Sequence, residues 1–517
     1  LARRFLARES EGTGLPVGVL LGLAVLLHLG VMLLAVNPWH ADEHFQILEF
    51  AWARAGRASL EGLPWEFEAA IRPTLQPTLA LLALKGLGAV GLDSSALWVL
   101  LLRLGTLVGA LAVLLAVVAR VSPTLSREGR RVLWIGGLFL WFAPLFTARF
   151  TSENLAALAL ASAVVVATGR RGRGGDYVVG GLLGLAFLFR FQAALAGAAL
   201  LAWLVVSETR GGSAASGSAG SLGGGRWWPT VRAAGAGALV TALGTLVDRW
   251  FYGAWVFTPW RYVRVNLLDG MAASFGTSPW YAYLVELPLW MAPPVGLAVV
   301  ALVVVGVVAR PWSPWGWCVV ALVVGHSAVA HKEMRFLLPA LYMVPPLLAV
   351  GWNALGSGSR TSRWRTAVVW VLLLQNAMLA LLLLTPSIHR GKEFDMHYFR
   401  FLARRAEERP AEPVRVLSED GRPYAVWALD VRVYRHPRVV GVPHADGAPL
   451  PSTLPPATPP ESLLLLTRAE DPPAVAGAEL RGPVYAAEPG YRIVARWLGL
   501  EDARALAWLE EVDGWTS

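Results

Sequence analysis

The sequence predicts a mainly α-helical polytopic membrane protein with about eleven transmembrane helices, followed by a small C-terminal α/β domain outside the membrane. Three observations carry this. The 517-residue chain is 55% hydrophobic and only 16% charged, with a mean hydropathy of +0.50, whereas soluble domains carry about a quarter charged residues. Apolar runs close to the roughly 20 residues that cross a hydrocarbon core recur from residue 16 to residue 385. Beyond 386 the composition turns charged, alternating and punctuated by proline.

Spans are expected near 16–36, 96–118, 133–148, 154–168, 177–189, 191–207, 233–250, 284–309, 317–330, 337–353 and 366–385. The first run lacks a clear small-residue cleavage site and is expected to stay as a helix. The net charge of +9 lies in short Arg-rich connections such as "ARVSPTLSREGRR", "GRRGRGGD" and "GSGSRTSRWRT" rather than in one basic stripe. That distribution points away from nucleic acid and places those loops on the cytoplasmic face. Counting Leu79–Leu92 as a crossing would throw every later Arg-rich loop outside, so this segment is expected to lie at the interface or re-enter. The Gly/Ser tract at 211–225 reads as a linker. Cys318, the single cysteine, reads as a small buried hydrophobe. No internal repeat is visible.

Two domains are expected: 1–386, with a first outer loop at 37–95, and 387–517. The C-terminal domain carries a charged helix-like stretch at 394–409, strand-like runs at 414–418, 462–467 and 491–497, Pro-rich turns at 443–460 and an acidic helix at 501–512.

The outer face receives nearly all of the chemically interesting residues. "NPWHADEHFQILEF" puts Asp42 and Glu43 between His40 and His44 just beyond the first span. As a helix it would place Asp42, Gln46 and Glu49 on one face, with Glu43 about 100° away. A carboxylate there can act as a general base toward a hydroxyl, or can simply complement a helix N-terminus. "LPWEFEAAIRPTLQPTL" contributes Arg72, "TARFTSENL" contributes Arg149, Glu153 and Asn154, and "DRWFYGAWVFTPWRYVRVNL" combines aromatics with Asp248 and three arginines. The densest stretch is "GHSAVAHKEMRFLLPAL", with His331, Lys332, Glu333 and Arg335 between apolar runs. On a helix these cations can converge, and cations gathered at a bilayer edge suit a phosphate.

Together these stretches resemble glycosyltransferase family 22, the polyprenyl- or dolichol-phosphate-mannose-dependent mannosyltransferases of N-glycan and GPI-anchor assembly, which have the GT-C membrane fold. The family's H-P-D-E-x-F-Q motif reads here His40-Ala41-Asp42-Glu43-His44-Phe45-Gln46, followed by Glu49, with alanine where proline is usual. Its T-W-E…I-R-S…P pattern is matched by "PWEFEAAIRPTLQP", with Pro73 in place of serine. Its S-x-x-Y-G-x-W-x-x-T-P region looks like the stretch from Asp248, and its H-K-E-x-R-F-x-x-P motif is intact from His331 to Pro339. The resemblance covers about residues 16–385 and does not reach the C-terminal domain.

The resemblance implies inverting transfer of a mannosyl group from a lipid-phosphate donor to a glycan or glycolipid hydroxyl on the non-cytoplasmic side. Asp42 is assigned as proton acceptor, with Glu43 the alternative. His331, Lys332 and Arg335, and more weakly Arg72, are assigned to the donor phosphate. His40, His44, Gln46, Glu49 and Glu333 are supporting or substrate-binding residues. No outer cluster has clear metal-ligand spacing, so no metal or cofactor is expected beyond the lipid-phosphate donor as co-substrate. The expected partners are that donor, the acceptor and membrane lipids. The Ala/Arg/Gly-rich composition favours a bacterial inner membrane, with the endoplasmic reticulum as the eukaryotic counterpart. Other readings are a GT-C transferase using a different lipid-linked sugar, a solute transporter built around His28, Arg103 and Arg190, and a non-catalytic outward scaffold.

Overall fold

The computed structural model describes residues 2–169, 172–215, 227–356, 363–389, 396–408, 413–418, 421–426 and 429–443, and the backbone of 463–465. The predicted linker at 211–225 falls largely outside these residues. So do the Pro-rich turns, the strand at 491–497 and the terminal helix. The chain divides into two units. One runs to Leu33 and resumes from Trp65 to Leu384; the other joins residues 34–64 to the described residues from 385 onward.

The first unit is helical. Val17–Leu34, Ser95–Thr124, Phe191–Thr209, Trp228–Tyr252 and Met334–Gly356 are long and apolar enough to cross a bilayer, and Ser152–Ala167, Val295–Ala309 and Thr366–Leu382 are shorter apolar helices. Leu75–Ala89 is a 15-residue helix, about 22 Å long and so shorter than a hydrocarbon core.

Two of the expected spans are broken. The 284–309 run forms Ala282–Trp290 and Val295–Ala309, and the 133–148 run forms Arg127–Phe139 and Ala143–Thr147. A broken helix in an apolar setting frees backbone groups that need new partners. Two adjacent polar residues of the Arg363–Leu382 helix supply them. Gln375 accepts from Val295 N at 3.1 Å and donates to Pro293 O at 2.8 Å. Asn376 accepts from Trp141 N at 3.0 Å and donates to Phe139 O at 2.6 Å. His28 is likewise spent on helix contacts, with Nε2 donating to Leu138 O at 2.9 Å and Nδ1 accepting from Thr147 Oγ1 at 2.7 Å.

Close packing relies on small residues, as expected where apolar burial alone does not favour one helix pair over lipid. Helices Arg173–Phe189 and Trp228–Tyr252 touch backbone to backbone: a Cβ on Gly180 would lie 1.9 Å from Ala233 O. Asp176 closes the same pair, accepting from Arg232 Nε at 2.9 Å and Nη2 at 2.6 Å.

The second unit has its own core of Phe45, Met396, Phe399, Leu402, Ala406, Val414, Val416, Tyr424, Val426, Val431 and Val439. Helix Met396–Glu408 accompanies a parallel sheet in the order Val439–Pro443, Val414–Ser418, Leu463–Leu465, with Val414 opposite Val439 and Arg415 opposite Leu463. Ala425–Val426 and Leu429–Asp430 pair antiparallel. The stretch read from sequence as the start of a first outer loop, and grouped there with the membrane domain, packs here instead. Phe45 lies in this core, and Asn37 bonds His389 O and Met396 N, each at 2.8 Å.

Gly180→Val is expected to destabilise the first unit by at least ~1–3 kcal/mol through overpacking against backbone. Gly181→Val, which meets nothing within 4 Å, should leave the melting temperature in detergent nearly unchanged; equal shifts would refute the close-packing assignment.

Candidate active site

In the second unit, His40 is extended at φ −145° and ψ 151°, and its Nδ1 accepts the Asp42 N–H at 3.2 Å, starting the helix Ala41–Glu43. Asp42 Oδ1 lies 3.4 Å from the same nitrogen. Glu43 Oε2 accepts the Trp39 N–H at 3.0 Å, a backward reach like that of a capping box. The next five residues, His44–Leu48, form a π-helical turn.

That turn alters the face expected from sequence. The wider turn rotates the helix beyond it by about one residue, roughly 100°. His44 and Glu49, five apart, therefore meet, with Nε2 and Oε1 at 2.9 Å. Both are fully buried, and Gln46 is buried as well. Asp42 and Glu43 stay partly exposed. Glu49 also accepts from Arg432 N at 2.7 Å, Arg432 Nε at 3.2 Å and Val433 N at 3.0 Å. Burial pushes the Glu49 carboxyl up, but the His44 bond and charge, the Val433 N–H and the Arg432 guanidinium outweigh it and hold the group below its ordinary 4.5.

In the first unit, the His331–Arg335 stretch is not the helix that the spacing predicted. Glu333 is extended at φ −136° and ψ 143°, and a 3₁₀ helix begins at Met334. Lys332 and Arg335 therefore share no helical face. Lys332 Nζ donates to Ser278 O at 2.8 Å and Val329 O at 2.6 Å. Glu333 organises its neighbours instead: it takes His331 Nε2 at 2.9 Å, Arg335 Nη2 at 3.1 Å and Arg335 Nε. Arg335 Nη1 also lies 3.7 Å from Glu153 Oε1, and Arg190 Nη1 lies 3.3 Å from the same oxygen. The Phe336 ring sits 5.4 Å from the Arg190 guanidinium and 5.5 Å from that of Arg335.

Arg72 pairs with Glu66 at 3.6 Å. Just after it, Thr74 N and Oγ1 donate to Asp248 Oδ1 at 2.8 and 2.6 Å, while Thr258 Oγ1 donates to Asp248 Oδ2 at 2.6 Å. One buried carboxylate thus ties two distant motif stretches together.

Glu153 and Arg190 were not assigned to the site from sequence. The available signal was an arginine ending the apolar helix Arg173–Phe189, since an ionisable group beside an apolar bundle calls for a partner. Among the described residues, no three His, Cys, Asp or Glu side chains are grouped to hold a metal ion.

Because folding lowers the pKa of Glu49, its contribution to stability is complete above pH 4.5 and is lost as pH falls through the folded-state value. Glu49→Gln should cost about 3 kcal/mol at neutral pH by breaking a buried pair. The wild-type melting temperature should fall below pH 4.5 more steeply than that of the variant. Parallel curves would contradict the pairing.

The profile of the Alg9-like mannosyltransferase family matches residues 20–419. The chain is 29% identical over 167 residues to the GPI alpha-1,2-mannosyltransferase 3 of Xenopus laevis, covering 31% of this chain and 28% of that protein. It is 32% identical over 162 residues to the GPI mannosyltransferase 3 of Aspergillus fumigatus, covering 28% and 21%. The matched region thus spans about a quarter of the length of these relatives. Among solved structures, ArnT from Cupriavidus metallidurans bound to undecaprenyl phosphate is similar with a TM-score of 0.51 at 13% identity, over 81% of this chain and 85% of that one. That likeness is one of fold, and the fold is GT-C. With the stretches from His40 to Glu49 and from His331 to Pro339 both inside the matched region, the chain belongs to the Alg9-like mannosyltransferase family.

Proposed function

We propose that this protein transfers a mannosyl group from a polyprenyl-phosphate-linked donor to a hydroxyl of a glycan or glycolipid, with inversion, on the non-cytoplasmic face of the membrane. The observation that carries the reading is the division of labour among the first-loop acids. Glu49 is buried and spent on His44 and Arg432, whereas Asp42 and Glu43 remain partly open to solvent. Family membership and a structural relative solved with undecaprenyl phosphate support the donor class.

In this reading the acceptor oxygen attacks the anomeric carbon as its proton passes to Asp42. The bond from that carbon to the phosphate oxygen breaks, and its electron pair leaves with the lipid phosphate. Glu43, whose Oε2 accepts the Trp39 N–H, is the alternative proton acceptor and otherwise orients the sugar hydroxyls. Negative charge grows on the departing phosphate, so cations already held in place stabilise the transition state more than the ground state. His331, Lys332 and Arg335 serve there, with Arg72 secondary. No metal or further cofactor is assigned. About eleven crossings with the Arg-rich loops inside suit this orientation, and the composition favours a bacterial inner membrane.

Purified protein in liposomes, given polyprenyl-phosphate mannose or polyprenyl-phosphate glucose with a panel of mannoside acceptors, should consume the mannose donor preferentially. Asp42→Asn should lower kcat by about 10²–10⁴-fold, and Glu43→Gln by less. Asp42→Asn at the wild-type rate, or a protein that consumes neither donor, would refute the reading.

A further inference from the structure

The second unit holds an arrangement for which the transfer reaction as described has no use. Arg432 engages Glu49 twice, through its backbone N at 2.7 Å and its Nε at 3.2 Å. Its Nη1 also donates to Ser59 O at 2.7 Å and Glu61 O at 3.1 Å, in the loop beyond the same helix. Two residues further on, the Tyr434 ring stacks on His44 with centroids 5.5 Å apart and planes 24° apart. Phe399 stacks behind Tyr434 at 6.4 Å and 17°. A short segment from the C-terminal part of the chain therefore grips both members of the His44–Glu49 pair.

That pair spans a π turn, a conformation that is rare and usually found as a single turn at functional sites. Such a turn persists only where surrounding contacts select it over the α-helix. Here the selecting contacts are visible: the five-residue spacing of His44 and Glu49 closes only across the wider turn, and Arg432 fixes the Glu49 end. Asp42 and Glu43 stand on the turn immediately before it. Relaxation to an α-helix would rotate them by about 100° relative to the helix Glu49–Arg54.

We infer that Arg432 is a positioning residue for Asp42 and Glu43: by ion-pairing with Glu49 it holds the His44–Leu48 π turn and so sets the direction in which the two carboxylates point. This rests on the assignment of those carboxylates to the transfer reaction. It also gives the C-terminal part of the chain a role in turnover, which no sequence motif indicates. Phe399 and Leu402 of the helix, with Val414, Val416, Val431 and Val439, build the core that carries the Arg432 segment.

The test uses the full chain in liposomes with polyprenyl-phosphate mannose as donor. Arg432→Met should lower kcat by about tenfold or more while leaving KM for the donor within about twofold, since orientation rather than donor binding is lost. Arg432→Lys, which keeps a charge beside Glu49, should recover kcat to within about fivefold of wild type. Leu402→Ala, a truncation in the same core, should lower the melting temperature at least as far yet keep kcat per folded molecule within about twofold. The Arg432→Met/Glu49→Gln double variant should be no slower than the slower single variant.

The positioning role is overturned by Arg432→Met at wild-type kcat, by a loss confined to KM, by an equal kcat loss in Leu402→Ala, or by additive effects in the double variant. Should Arg432→Met fail to fold, Glu49→Gln carries the same kcat-against-KM test. Asp42→Asn at the wild-type rate would sink the underlying assignment. Asp42→Asn inactive beside a fully active Arg432→Met sinks the positioning role alone.

Discussion

Charge placed in or beside an apolar bundle must be paired, and this structure is arranged around that constraint. An uncompensated buried ion costs several kcal/mol, and the buried carboxylates have specific jobs. Asp176 clamps Arg232, Glu153 lies between Arg190 and Arg335, Asp248 takes three donors from Thr74 and Thr258, and Glu49 takes His44 and Arg432. Against that background the partial exposure of Asp42 and Glu43 is informative. They sit in the same short helical stretch as Glu49, yet they are only partly buried where Glu49 is fully so.

The same economy governs the backbone. Where two long apolar runs break, Gln375 and Asn376 on a third helix take up the freed N–H and C=O groups. Elsewhere small residues let two helices approach backbone to backbone, as at Gly180, where Asp176 and Arg232 pair across the same contact. Broken helices and polar side chains inside apolar runs thus belong to one scheme of polar satisfaction. That scheme explains His28, whose two ring nitrogens are both used between helices, without any transport pathway.

Much of this was legible in the sequence. Apolar run length located many of the helices, and four motif stretches together, most specifically the one from His331 to Pro339, pointed to the family. The features that were not legible depended on contacts between residues far apart in the chain. A uniform 3.6-residue period placed Asp42, Gln46 and Glu49 on one face, because nothing local announces the π turn. Its cause, Arg432, lies 383 residues from Glu49. The spacing of Lys332 and Arg335 suggested a helix, but the backbone is extended at Glu333 and each cation finds different partners. Glu153 and Arg190 each stood out, one between two apolar runs and one at the end of another, but nothing local shows that they meet. Local periodicity reports elements well; it reports neither register shifts nor which distant charges meet.

The chemistry turns on whether the first-loop carboxylate removes a proton from the acceptor or attacks the sugar itself. The anomeric configuration of the product, followed by NMR in a single turnover of polyprenyl-phosphate mannose of defined configuration, decides between these most directly. A carboxylate acting as base in one displacement gives the inverted linkage. A product that keeps the donor's configuration would require a covalent glycosyl intermediate and would contradict the role assigned to Asp42.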